Sequence, residues 1–175
     1  SRFSESEKIK IMAQLLSVIQ YLHHQKFIYR DMKPDNVMID NNKTVVVIDF
    51  DRMIDEKNIE DANNIQQTIN FGLIYHAPEI NDKNITNKCD IYSFGMLIKK
   101  IIPDLQNNEY YSLINSIYLQ CINEKITKRP SASYLLSLIN SFIQSKNIKI
   151  DLSYMLNQNE SESQNNLLDA SKSIR

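Results

Sequence analysis

Asp31 and Asn36 stand five residues apart in the run Tyr29-Arg30-Asp31-Met32-Lys33-Pro34-Asp35-Asn36, and a further carboxylate, Asp49, follows in Val45-Val46-Val47-Ile48-Asp49-Phe50. This set suits phosphoryl transfer, where the protein's task is to position reacting groups and neutralise charge. One carboxylate would orient a hydroxyl, while an amide oxygen and a second carboxylate would hold magnesium against phosphates. The same residues have plainer readings: Asp31 as a turn aspartate bonded to its own backbone, Asp49 as a strand-end residue capping the next turn.

The elements that must position these groups follow from periodicity. Ser4 and Glu7 form a capping-box pair, and Ile9, Met12, Leu15, Leu16, Ile19 and Leu22 recur at helical spacing, which predicts an amphipathic core helix over residues 5–24. Beyond Phe27-Ile28 the motif loop runs to Asn36. Val37-Met38-Ile39 and Val45 to Ile48 predict two strands joined through Asn41-Asn42, residues that tolerate left-handed turns, and this hairpin brings Asn36 and Asp49 together. Residues 51–89 lack sustained periodicity and read as a long loop. Ile91, Phe94, Leu97, Ile98, Ile101 and Ile102 are apolar nearly all round, predicting a buried helix that Pro103 ends. Two more helices are predicted, one from Leu113, Ile114, Ile117, Tyr118, Cys121 and Ile122, the other from Tyr134, Leu135, Leu138, Ile139 and Phe142 after Arg129-Pro130-Ser131. The expectation is an α+β, mainly α domain over residues 1–146, followed at 147–175 by a Ser-, Asn- and Gln-rich tail too polar to offset its own ordering entropy.

At 175 residues and 42% hydrophobic content, one core burying roughly two-thirds of the unfolded surface is expected. Twenty basic and 21 acidic residues leave a net charge of −1, which gives no field strong enough to argue for nucleic acid or an anionic membrane, and neither is expected as partner. Cys89 and Cys121 fall in apolar periodic segments, so buried free thiols in a reducing, cytoplasmic compartment are expected rather than a disulfide. No apolar run approaches the roughly 18 residues needed to span a bilayer. A chain opening Ser1-Arg2-Phe3-Ser4 is expected to be a piece of something longer. Gly72 and Gly95 are the only glycines, so no glycine-rich phosphate loop can be written within these residues.

Tyr29 to Asn36, Asp49-Phe50, Ala77-Pro78-Glu79, Asp90-Ile91-Tyr92-Ser93-Phe94-Gly95 and Arg129-Pro130 occur in an order that resembles the C-terminal lobe of a eukaryotic protein kinase of the serine/threonine type, over about 140 residues. The resemblance implies that Asp31 orients the substrate hydroxyl and accepts its proton, that Lys33 neutralises the transferring phosphoryl group, and that Asn36 and Asp49 bind Mg2+. It implies ATP as the nucleotide, with Met38, Leu97 and Ile101 beneath the adenine, although apolar residues at i and i+4 on a buried helix are core far more often than ligand floor. Tyr29 and Phe50 would belong to an apolar column that aligns active kinases. Arg30 would grip a phosphate on the long loop, with Thr68 as the acceptor; an unmodified Thr68 and an Arg30 paired to an acid is an equal reading. Glu79 and Arg129 resemble a buried ion pair, and Asp90 an acceptor of backbone N–H groups from the catalytic loop. The implied partners are a protein substrate and an N-terminal lobe, absent from these residues, that carries the phosphate-gripping groups; the isolated chain is expected to be inactive.

Three departures keep an alternative open. Asp51 replaces the glycine that follows Asp-Phe, Gly72 replaces a threonine whose hydroxyl braces Asp31 and Lys33, and residues 103–111 are too few for the family's substrate-docking helix. The alternative is a pseudokinase, or partial-lobe binding module, that keeps the fold for partner docking without catalysis.

Overall fold

The computed structural model describes residues 3–59, 74–80, 85–100 and 108–148. The first helix, α1, spans Glu5–His24. Its start is fixed by reciprocal hydrogen bonds, the Glu7 amide donating to Ser4 Oγ at 3.3 Å and the Ser4 amide to Glu7 Oε2 at 2.8 Å, which satisfy two amides that a helix N-terminus leaves open. Ile9, Met12, Leu16 and Ile19 form its buried stripe. Lys26, at φ 66°, turns the chain into β1, Phe27–Ile28.

Among the described residues four short strands form two antiparallel ladders. A 3-10 turn at Pro34–Asn36 leads into β2, Val37–Ile39, which pairs with β3, Val45–Val47, in the register Val37 to Val47. Gln14 of α1 pins this hairpin by accepting from the Val45 amide at 2.8 Å and donating to the Lys43 carbonyl at 2.9 Å. The second ladder joins β1 to β4, Ile54–Asp55, with Phe27 opposite Asp55. The stretch expected as loop over 51–89 therefore holds a strand, a 3-10 turn at Glu56–Asn58 and the start of the next helix. Two-residue strands carry no alternation to read, and their partner lies far back in sequence.

Among the described residues three further helices pack into the core: α2 at Lys88–Ile98, α3 at Glu109–Cys121 and α4 at Ala132–Ser145. Side-chain caps start two of them, Asn108 receiving the Tyr111 amide and Ser131 the Tyr134 amide, each at 3.1 Å. α4 packs on α1, and α3 on α2. Gly95 makes the second contact close: a Cβ added there would lie 2.5 Å from the Cβ of Cys121. Phe94, Ile91, Ile114, Ile117, Leu135 and Ile139 join the α1 stripe in one cluster. Cys89 and Cys121 are buried free thiols. Among the described residues no helix is long and apolar enough to cross a membrane. Thr68, Gly72, Ile101, Ile102, Pro103 and, of the tail expected at 147–175, residues 149–175 lie outside the described residues.

Candidate active site

The loop that carries Asp31 is anchored from behind. Asp90, in the first turn of α2 and 1% exposed, accepts the Tyr29 amide on Oδ2 at 2.9 Å and the Arg30 amide on Oδ1 at 2.8 Å. His23 Nε2 lies 2.9 Å from the same Oδ2. Arg30 needs such an anchor, because its φ of 70° is a left-handed conformation that costs a residue with a Cβ about 1 kcal/mol or more. The anchored loop delivers Asp31 to the interior, where its side chain meets Lys33, Asn36, His76 and Arg52.

Asp31 is 1% exposed, and its two carboxylate oxygens have different partners. Oδ2 accepts from Lys33 Nζ at 2.7 Å and from Asn36 Nδ2 at 2.9 Å. Oδ1 lies 3.3 Å from His76 Nε2 and 3.7 Å from Arg52 Nη1. Burial pushes this carboxyl's pKa up, yet the hydrogen bonds from His76 and Lys33 and the nearby Arg52 and Lys33 charges outweigh it and hold the group at about 2. Asp31 is therefore an ionised, buried acceptor at neutral pH.

Asn36 is set by the 3-10 turn that Pro34 opens. Its Nδ2 also donates to the Asp31 carbonyl at 2.9 Å, so the amide's nitrogen side is committed to Asp31 and its oxygen is the side left to act as a ligand. The Ile48 amide donates to the Asn36 carbonyl at 3.0 Å, which ties Asn36 to the residue that precedes Asp49. Asp49 is exposed, sits at φ 63°, and accepts the Asp51 amide on Oδ1 at 3.4 Å. Among the described residues no group of three or more His, Cys, Asp or Glu side chains is placed to hold a metal ion. The oxygen set of Asn36 and Asp49 nonetheless fits Mg2+, which takes one or two protein carboxylates and completes its octahedron with water and phosphate oxygens.

Around this centre, Tyr29 is buried and its hydroxyl donates to the Ile48 carbonyl, with burial pushing the phenol's pKa well up. Its ring meets that of Phe50 edge-on at 5.5 Å and 73°. Met38, 56% exposed, pairs across the hairpin with Val46, and exposed Ile48 and Phe50 follow Val46 along the chain. Leu97 packs on the core cluster, while Ile101 lies outside the described residues. Arg30 Nε is buried without a hydrogen-bond partner among the described residues, and burial pulls the guanidinium pKa below its ordinary value.

Glu79 and Arg129 form a two-pronged pair in the interior, Arg129 Nη2 donating to Glu79 Oε2 at 3.1 Å and Nη1 to Oε1. Arg129 also donates from Nε to the Asn123 carbonyl at 2.9 Å and from Nη1 to the Lys88 carbonyl at 3.2 Å, with its guanidinium 4.9 Å from the centre of the Tyr92 ring. Two residues at the Asp31 carboxylate escaped the sequence reading. His76 is separated from Asp31 by 45 residues, and Arg52 sits in a stretch without periodicity. The one available signal for His76 is its position immediately before Ala77-Pro78-Glu79.

Comparison with known proteins is consistent with this geometry. The family described as protein kinase domain matches residues 1–170. The chain is 33% identical over 106 residues to the dual specificity protein kinase zak2 of Dictyostelium discoideum, covering 58% of this chain and 17% of that protein. It is 36% identical over 107 residues to the probable serine/threonine-protein kinase samkA of the same organism, covering 58% and 16%. With serine/threonine-protein kinase 33 of Mus musculus it shares 34% identity over 128 residues, covering 64% and 26%. The chain thus spans at most about a quarter of the length of these relatives. A buried, ionised aspartate fixed by a lysine and an asparagine, in a chain matched over nearly all its length, leads to one assignment: this chain belongs to the protein kinase family.

Proposed function

We propose that these residues form the C-terminal half of an ATP- and Mg2+-dependent kinase site that transfers the γ-phosphate to serine or threonine hydroxyls of a protein substrate. The observation that carries it is the Asp31 carboxylate, ionised in the interior with one oxygen tied to Lys33 and Asn36 and the other facing His76 and Arg52. Such a carboxylate orients an incoming hydroxyl more than it abstracts a proton, since a group held near pKa 2 is a weak base. Lys33 Nζ, beside Asp31, offers its positive charge to the phosphoryl group as that group meets the hydroxyl. Asn36 and Asp49 would hold Mg2+, which when bound supplies charge stabilisation at the phosphate oxygens. Exposed Met38 offers an apolar surface for the adenine.

The lysine at position 33 supports the serine/threonine class, as do the names of two of the three relatives described above. With Gly72 and Gly95 the only glycines, the groups that grip the phosphates belong to an N-terminal lobe, and these 175 residues alone do not catalyse. The near-zero net charge supports a protein partner over nucleic acid or membrane, and the buried thiols support a reducing, cytoplasmic setting. Arg30, whose Nε has no hydrogen-bond partner among the described residues, is the phosphate receiver for a modified Thr68. The test is peptide phosphorylation by the polypeptide that carries this chain and its nucleotide-gripping half. Asp31→Ala lowers the rate about 10²- to 10⁴-fold if the reading is right, and undiminished transfer in that variant refutes it.

A second reading, a pseudokinase that binds partners without catalysis, is favoured by Asp51, whose amide touches the Asp49 carboxylate and whose own charge stands two residues from it. Thermal stabilisation by ATP with Mg2+ that disappears in Asp49→Ala counts against a purely structural site; at a ligand concentration 100 times Kd it amounts to about 2.7 kcal/mol.

A further inference from the structure

The two oxygens of the Asp31 carboxylate are divided between different parts of the chain. Oδ2 is held locally, by Lys33 and Asn36 of its own loop. Oδ1 is met by a side chain from a distant segment, His76, at 3.3 Å, and the His76 side chain is 6% exposed against 2% for Asp31. Arg52 Nη1, at 3.7 Å from the same oxygen, is beyond hydrogen-bond length. His76 is thus the hydrogen-bonding partner of Oδ1 among the described residues. An ionised carboxylate can only accept, so the hydrogen of this contact lies on the imidazole, and Nε2–H is the tautomer that fits.

The segment that presents His76 is itself fixed. Tyr75 and Ala77 on either side are buried, and Glu79 three residues on is clamped by Arg129. His76 therefore reaches Asp31 from a rigid support, which is what a group that orients another group requires. An acceptor oxygen has two lone-pair directions, so His76 can hold one while a substrate hydroxyl takes the other.

We propose that His76 is a positioning residue for the transfer reaction: its Nε2–H fixes the plane of the Asp31 carboxylate so that the second lone pair of Oδ1 points at the substrate hydroxyl. The inference rests on the proposed function, with Asp31 as the group that receives the hydroxyl. It assigns to the segment just before Ala77-Pro78-Glu79 a direct hand in the geometry of that carboxylate.

Two measurements test it. The chain has three histidines, so ring-nitrogen NMR of the 15N-labelled chain resolves each of them. His76 is expected as the Nε2–H tautomer, and in Asp31→Ala as the mixture of tautomers typical of an unpaired ring. His23, whose partner is Asp90, serves as the unchanged control. A tautomer mixture at His76 in the unmodified chain overturns the proposal without any variant having to fold. In transfer assays on the full polypeptide, His76→Leu is expected to lower kcat roughly 10- to 100-fold with KM for ATP within about twofold, and His76→Gln, which keeps an N–H, to recover to within about threefold of the unmodified rate. An unchanged kcat in His76→Leu, or a glutamine variant as poor as the leucine one, overturns it. Transfer that survives Asp31→Ala overturns the functional reading, whereas the tautomer at His76 still reports whether the brace exists.

Discussion

At the scale of the residue, Asp31 shows how a buried charge is kept rather than neutralised. Burial alone would raise its pKa, but donors from His76 and Lys33, with the Arg52 charge close by, bring it to about 2 against an ordinary 3.8. A carboxylate whose folded pKa is depressed stabilises the fold above the unfolded value, and that stabilisation is lost as pH falls through the folded value. In the metal-free chain the Asp31 contribution is therefore complete above about pH 4 and fades between about 4 and 2. The melting temperature of the unmodified chain should exceed that of Asp31→Asn near pH 6, and the gap should narrow steadily as pH is lowered to 2. A gap that stays constant over that range shows that the carboxylate gains nothing from its donors.

At the scale of the element, the meeting of α2 and α3 depends on a missing side chain. Gly95 is buried in the middle of α2, where glycine costs a helix about 1 kcal/mol relative to alanine. The position earns that cost because a methyl group there would meet Cys121 Cβ at 2.5 Å and Ile122 Cγ2 at 3.2 Å. The first of these atoms is fixed directly to the α3 backbone, so relief requires the two helices to part. Overpacking of this kind costs about 1 to 3 kcal/mol, more than the propensity gain, and Gly95→Ala should lower the urea midpoint with little change in slope. A variant as stable as the parent means that α3 can shift without penalty.

The same scale explains what could be read beforehand. α1 was legible because a capping box and a six-residue apolar stripe mark both its start and its face, and the β2–β3 hairpin because Val and Ile runs flank a pair of asparagines. The β1–β4 ladder was not, since Phe27-Ile28 and Ile54-Asp55 are each two residues long and neither alternates. In the candidate site, Asp31, Asn36 and Asp49 stand out in the sequence because their oxygen-bearing side chains fall at short spacing within local sequence. His76 and Arg52 were not, because they reach Asp31 only after distant loops are brought together, and neither loop has a periodicity that predicts where it goes.

At the scale of the whole molecule, Arg129 is the knot that joins otherwise separate parts. Its fork holds Glu79 of the 74–80 segment, and its remaining donors reach the carbonyl of Lys88 at the start of α2 and that of Asn123 just beyond α3. At 2% exposure, with Glu79 at 5%, the pair is fully desolvated. Such pairs add little net stability compared with apolar residues of similar size, but losing one partner strands the other's charge in the interior. Glu79→Ala should therefore destabilise the chain by about 3 to 5 kcal/mol, and the double change Glu79→Leu with Arg129→Met should recover most of that loss in urea unfolding. Recovery would be incomplete, because methionine cannot serve the two carbonyls that Arg129 satisfies. The consequence extends to chemistry, for Glu79 lies three residues beyond His76 on the same short segment. If Arg129 fixes the support from which His76 meets Asp31, the double variant should refold yet show a mixed His76 tautomer. A double variant that keeps both stability and the Nε2–H tautomer would show that the 74–80 segment holds its place through Tyr75, Ala77 and Ile80 alone.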